Sequence, residues 1–513
     1  MSSDQKAEVA QYVDGKSWWR KLFTLKNVDN LRSRAESSEM SRSLSAFDLT
    51  AIGVGAIIGT GIFVLTGTAA AQNAGPAVVL SFAVAGVAAG TAAMAYSEMA
   101  CMIPVSGSAY TYSYATMGEL VGWIIGWDLI LEYLVGAATV SVGWSGYFVK
   151  FCESAFNWQL DKRWVDSPVI FDAKTNSFEV TGNYINLPAS VVSLVVTGLL
   201  CFGIRESARA NAVMVCIKTL VILLFIFACI KYVEPSNYTP FVPENEGSFS
   251  KYGATGVLAG ATRVFFSYIG FDAVSTAAQE AKNPQRDLPI GICSSLILCT
   301  ILYVAVCVVM TGVVPFRELN SSAPINVVIG YTGMRWLGII VSLGILFGLT
   351  SVMLVLLIAQ PRIFYSMALD GLFPKFAAKL HPKYKTPWST TLISGLFCAV
   401  AGGVLPVDVL GEMTSVGTLF AFALVNIGVT ILRVKRPDLP RKFKVPLGPY
   451  LFPGLGAIMS VGLIATASAH TLLRLFVWMG LGVLIYFCYG RTHSVINNPH
   501  RAAEFHDIEK VDI

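Results

Sequence analysis

Lys218 is the side chain of this sequence whose chemistry is hardest to explain as packing. It lies in ANAVMVCIKTLVILLFIFAC, nine residues past Arg209, about 13 Å into an apolar helix at roughly 1.5 Å per residue. A lysine at the centre of a membrane span costs roughly 2.5–3.5 kcal/mol, and residues so placed have a partner or a role. Its ammonium suits the place where a coupling sodium would otherwise sit, and a buried lysine can lose and regain a proton during a cycle. A static ion pair is the competing reading. Asp128 and Glu132 stand four residues apart in GWDLILEYLVG, on one helix face. Two deep carboxylates on one face are costly, so at least one faces a cavity or a cation. Glu132, the deeper, is the better candidate for Lys218's partner or for a proton carrier; Asp128 fits a brace between helices. Asp272, in SYIGFDAVST, opens a half-helix, where capping and proton chemistry are both open to it.

A second kind of chemistry is written in FDLTAIGVGAIIGTGIFVLTG, residues 47–67. The stretch is apolar enough to enter a membrane, yet Gly53, Gly55, Gly59 and Gly61 place poor helix formers at its centre. A broken helix is tolerated in lipid only where it faces protein or a water-filled cavity. The outer half would then begin at Gly59, Thr60 and Gly61, whose free N–H groups and dipole suit a carboxylate. Close packing through Gly55-xxx-Gly59 is the alternative. A carboxylate is half of an amino acid; the ammonium needs acceptors, and unwound carbonyls at Ile57, Phe266 and Ile269 could supply them. Phe266 and Tyr268 are also placed to close over a ligand, with ordinary core packing equally open for Tyr268. Gly118, Gly122 and Gly126 read as a packing face instead.

These residues need apolar elements to position them. Of the 513 residues, 54% are hydrophobic and 13% charged, where a soluble domain carries about 25% charged. The chain is expected to be an all-α polytopic membrane protein. Twelve apolar runs of spanning length are legible. The first (47–70) and the sixth (253–278) are both interrupted, the sixth around Ser267–Gly270. Spans one to five (47–232) and six to ten (253–432) form two sets; five is odd, so the second set runs inverted. Broken helices at corresponding positions of inverted repeats mark a midplane binding site. Two further spans occupy 447–490, between a polar N-terminal segment (1–46) and a C-terminal tail (491–513). Most of the 37 lysines and arginines fall on the side of the termini, so both termini are expected to be cytoplasmic. The basic stretch Arg433–Lys444 lies between two spans, which sets aside a nucleic-acid partner. Neither the ten cysteines nor the five histidines show metal-ligand spacing. No metalloprotease, Walker A or dinucleotide-binding pattern occurs in a fitting context, so neither an enzyme nor a cofactor is expected.

The segments AFDLTAIGVGAIIGTGIFVLTG, PVSGSAYTYSYATMGELVGWIIGWDLILEY, SARANAVMVCIK and FFSYIGFDAVSTAAQEAKNPQRDLPIGI resemble the amino acid–polyamine–organocation superfamily. They look most like its cationic amino acid transporter branch and that branch's bacterial, ApcT-like members. The resemblance covers about residues 44–495. It implies a LeuT-type fold with helices one and six discontinuous, working by alternating access. It places the carboxylate site on Thr60 and Gly61, the ammonium site on Ile57, Phe266 and Ile269, and the sodium-replacing lysine on Lys218. An acid at Glu132 is similar to the bacterial members and implies proton symport. Arg263 departs from the pattern, where a small or polar residue is expected; it either narrows the entrance, repelling cationic substrates, or turns away from the path.

Together these readings predict a proton-coupled importer of L-amino acids in the plasma membrane, its partners being substrate, protons and the lipid bilayer. An exchanger on the same fold is the first alternative, and a non-transporting amino acid sensor the second.

Overall fold

The structure is a computed structural model that describes residues 18–31, 44–105, 107–172, 177–201, 208–381 and 386–498. Its frame is helical. The main helices are α1 (Ala46–Ile57), α2 (Val78–Met102), α3 (Ser108–Met117), α4 (Glu119–Ile130), α5 (Gly136–Phe156), α6 (Leu187–Cys201), α7 (Ala208–Cys229) and α8 (Gly253–Val264). They continue as α9 (Pro284–Val313), α10 (Pro324–Thr332), α11 (Arg335–Leu369), α12 (Trp388–Val404), α13 (Val407–Lys435), α14 (Leu451–Ala465) and α15 (Ala469–Ile485). Among the described residues, eight helical stretches are long and apolar enough to cross a membrane, and α1, α6, α12 and α14 are shorter apolar helices. Among the described residues, each of the twelve expected apolar runs overlaps at least one of these helices.

Local chemistry explains several boundaries. Ser45 and Asp48 form a reciprocal capping box that starts α1, satisfying two backbone donors that a helix start leaves free. Gly118 separates α3 from α4 at φ 107°, a backbone region that glycine enters without steric penalty. The packing face read from Gly122 and Gly126 is real: a Cβ at either would collide with Tyr114 or with Met367. A hairpin absent from the sequence reading decorates the long loop between α5 and α6. Its strands β1 (Val169–Asp172) and β2 (Ser177–Val180) pair antiparallel, with Val169 opposite Val180.

The described parts of both terminal segments meet at one end of the bundle. Asn497 donates to the Lys21 carbonyl at 3.0 Å, and Thr24 donates to Asn497 at 3.2 Å. Lys26 pairs with Asp370 at 2.5 Å and lies over the rings of Tyr110 and Tyr114. Glu119 gathers donors from Tyr114, Tyr486, Ser494 and Asn497.

The basic stretch after α13 turns inward. Arg433 clasps the fully buried Glu98 of α2 through its Nε at 2.7 Å and through Nη2; Arg441 approaches the same carboxylate at 3.5 Å, and the Val445 N–H donates to it at 2.7 Å. Removing one partner of a buried ion pair leaves uncompensated charge. Glu98→Ala is therefore expected to destabilise the protein by about 3 kcal/mol, seen as a lowered thermal unfolding midpoint in detergent; an unchanged midpoint would mean that this clasp stabilises nothing.

Candidate substrate and coupling site

Two helices come apart at the same place. α1 ends where Ile58 turns extended (φ −73°, ψ 98°), and helix resumes as a π-turn over Gly61–Leu65. α8 gives way to a 3-10 turn over Phe265–Tyr268; Ile269 is extended, Gly270 has φ 112°, and a single α turn follows over Ala273–Thr276. The C-terminal half of this second broken helix is therefore shorter than its apolar run suggested.

The two breaks pack backbone against backbone. A Cβ at Gly61 would lie 2.4 Å from the Ser267 Cα, and one at Gly270 would lie 2.9 Å from the Ala56 carbonyl carbon. Close packing, the reading set against ligand binding for these glycines, is thus part of what Gly61 does. Tyr303 of α9 joins the breaks: its hydroxyl lies 2.9 Å from the Ile57 carbonyl oxygen and 2.8 Å from that of Ser267, sharing its proton between them.

Lys218 reaches the first break. Its Nζ donates to the carbonyls of Gly55 and, at 3.2 Å, Ile58, and to Ser351 Oγ of α11 at 3.3 Å. The Ser351 hydroxyl spends its own proton on the Gly348 carbonyl at 2.9 Å, so its oxygen is free to accept. The lysine is fully buried, and these oxygens stand in for the water it has lost.

Glu132 does not hydrogen-bond Lys218, one of the two roles read for it from the sequence: its carboxyl lies against that of Asp272 instead. The reason is position, because Glu132 lies on a π-turn over Leu131–Val135 that joins α4 to α5, where it faces the second break. Its charge acts on Asp272. Tyr133 donates to Asp272 Oδ2. By strict hydrogen-bond geometry Asp272 makes no side-chain cap on the following turn.

A cavity of about 10 Å³ lies between the breaks, roughly room for one water molecule. Ala56, Ile57, Gly59, Phe266 and Ile269 line it from the breaks, with Glu132, Gly136 and Val140 on one side and Val352 and Leu356 of α11 on the other. Of the expected site residues, Ile57, Gly59, Phe266, Ile269 and Glu132 are thus brought together; Thr60, Gly61, Lys218 and Asp272 stand behind that first layer. The Thr60 side chain packs on Gly143 of α5, its hydroxyl unpartnered among the described residues, as is that of Ser267. Tyr268 faces Phe82 and Tyr303 and donates to the Phe82 carbonyl at 2.9 Å, so it is core rather than lid.

Arg263 is bound into a polar network. One turn before Phe266 in α8, it donates to Gln72 at 2.6 Å and to Glu412 of α13 at 2.9 Å, and Thr471 holds the second Glu412 oxygen at 2.7 Å. Sequence reasoning missed Tyr303, Tyr133 and Ser351. Each is a polar group in an apolar run, a signal too common to single out without knowing what it touches.

The profile of the family described as amino acid permease matches residues 44–486. The chain belongs to the amino acid permease family. Such a permease is a membrane transporter, not an enzyme. Among its relatives, the branched-chain amino acid permease BcaP of Bacillus subtilis (strain 168) is 46% identical over 93% of this chain and 99% of its own. The methylthioribose transporter of the same organism is 41% identical over the same shares. The vacuolar cationic amino acid transporter 4 of Arabidopsis thaliana is 39% identical over 78% of this chain and 64% of its own.

The contact between the breaks exposes the permease to a sharp test. Gly61→Ala drives a methyl group into the Ser267 backbone, which cannot move aside as a side-chain end would. The variant is expected to lose transport at least tenfold, about 1.4 kcal/mol, or to lose its folded population in detergent. Full activity would mean that the breaks do not stay in contact during the cycle.

Proposed function

We propose that this permease is a secondary active transporter that carries L-amino acids into the cell together with protons, by alternating access. The observation that carries this reading is the Lys218 ammonium seated on the carbonyls at the first break. Discontinuous helices in secondary transporters commonly hold a coupling cation on such carbonyls. A fixed positive charge there makes that ion unnecessary, and leaves the proton as the coupling species. Glu132 and Asp272, buried and facing each other near the cavity, are its carriers in this scheme, with Lys218 sensing the change.

The substrate ammonium is assigned to the carbonyls of Ile57, Phe266 and Ile269 and to Glu132, and the carboxylate to the turn at Gly59, Thr60 and Gly61. The unpartnered Thr60 hydroxyl supports that side of the assignment. Relatives are named for branched-chain amino acids, cationic amino acids and methylthioribose, so the cavity wall must choose. Val140, Val352 and Leu356 are apolar, which favours small and branched apolar side chains over a guanidinium.

In this reading the chain is a LeuT-type fold of twelve spans, with inverted repeats over 47–232 and 253–432, two added helices over 447–490, and cytoplasmic termini at the plasma membrane. The meeting of the two breaks supports it, as do the described terminal residues gathered at one end. The Arg263–Glu412 network at one end and the Lys26–Asp370 pair at the other hold the molecule closed around its small cavity. Each has to open in turn.

Labelled alanine, leucine and arginine should be offered to otherwise empty proteoliposomes, with and without an inward proton gradient and with membrane potential clamped. Accumulation that a protonophore collapses is the expected result; uptake only into vesicles preloaded with amino acid would instead make the permease an exchanger. Lys218→Ala should abolish proton-driven accumulation, and retained accumulation would remove Lys218 from coupling. Leu356→Ala should raise uptake of phenylalanine relative to alanine several-fold. An unchanged ratio would mean that Leu356 does not bound the side-chain pocket.

A further inference from the structure

We propose that Asp128 is a further proton carrier, receiving the proton from Glu132 and passing it toward the end of the bundle where the described terminal residues lie. The inference rests on the proton-coupled reading of the site. Asp128 is 1% exposed, and neither of its carboxylate oxygens has a hydrogen-bond partner among the described residues. It sits in α4, one turn from Glu132, about 6 Å along the axis. It lies on the side toward Glu119, which the C-terminal residues Ser494 and Asn497 hold.

A structural brace would look different. A bracing carboxylate accepts hydrogen bonds from the helix it supports, whereas Asp128 rests on bare backbone: its Oδ1 lies 3.0 Å from where a Cβ on Gly417 of α13 would stand. The adjacent Thr418 hydroxyl is also unpartnered among the described residues. The ionisable side chains near Asp128 are Glu132, one turn on, and the neutral phenol of Tyr96 of α2. Tyr96 also faces Asp272, and its hydroxyl is unpartnered among the described residues. Between the two acids the helix widens into the π-turn over Leu131–Val135, a distortion that recurs at functional sites.

In hydrocarbon a carboxylate without donors is costly, and a proton is the partner small enough to fit. The transfer balances simply. An O–H bond on Glu132 breaks and one on the Asp128 carboxylate forms, the proton crossing through one bridging water. The pair's total charge is unchanged while the proton moves one turn. When that end opens, Asp128 releases the proton to water and is again ready to accept.

Proton-driven accumulation of leucine and leucine counterflow at equal pH should be measured for wild type, Asp128→Asn and Asp128→Glu in the same proteoliposomes. The ratio of accumulation to counterflow is expected to fall roughly tenfold or more in Asp128→Asn and to recover largely in Asp128→Glu, with a shifted pH profile. A wild-type ratio and profile in Asp128→Asn would overturn the inference. So would a parallel loss of both activities in folded protein, which would make Asp128 structural. Should Asp128→Asn not fold, the profile of Asp128→Glu decides, a shift supporting the inference and no shift overturning it. Wild-type protein that counterflows but never accumulates leucine would instead overturn the proton-coupled reading, and this inference with it.

Discussion

The structure depends on two stretches of unwound backbone pressed against each other inside an apolar bundle. Unpaired peptide groups in such a place are costly, and the molecule satisfies them from outside the two broken helices. Lys218 serves the carbonyls of Gly55 and Ile58, and the Tyr303 hydroxyl serves those of Ile57 and Ser267. The glycines at positions 61 and 270 let the chains come that close, the second also taking up a left-handed backbone. Neither break would be tolerated alone, because each supplies the other's wall.

From that contact the rest of the site follows. The π-turn on the α4–α5 helix sets Glu132 against the cavity, α11 brings Val352 and Leu356 to the opposite wall, and α9 contributes Tyr303 from behind. Polar groups gather in this part of the molecule: the hydroxyls of Thr60 and Ser267, unpartnered among the described residues, and the facing carboxyls of Glu132 and Asp272. Buried polar atoms ordinarily find partners. Their clustering beside a cavity marks the place where an incoming polar molecule would gain most.

The ends of the bundle balance charge differently. Arg263 shares a network with Gln72, Glu412 and Thr471 at one end, and Lys26 lies between Asp370 and two tyrosine rings at the other. Both are partly buried and polar. Contacts of this kind are specific when made, yet can exchange protein partners for water, which suits elements that close and reopen.

The sequence by itself determined the helical membrane class, the positions of the apolar runs, the two breaks and the family. Each follows from short-range physics: hydrophobic length, glycine's helix cost, and the expense of a lysine or carboxylate deep in a span. The same reasoning marked Lys218, Glu132 and Asp272 before any geometry was known. It could not say which of them touch. Lys218 took backbone carbonyls rather than Glu132, because α7 packs against α1 while the π-turn aims Glu132 at the other break. Gly61 was legible as a break, but its contact with Ser267 came only from the crossing of two helices about 200 residues apart. Tyr303, Ser351 and the polar network of Arg263 were likewise decided by tertiary structure, since a lone polar residue in an apolar run has no local signature of its partner.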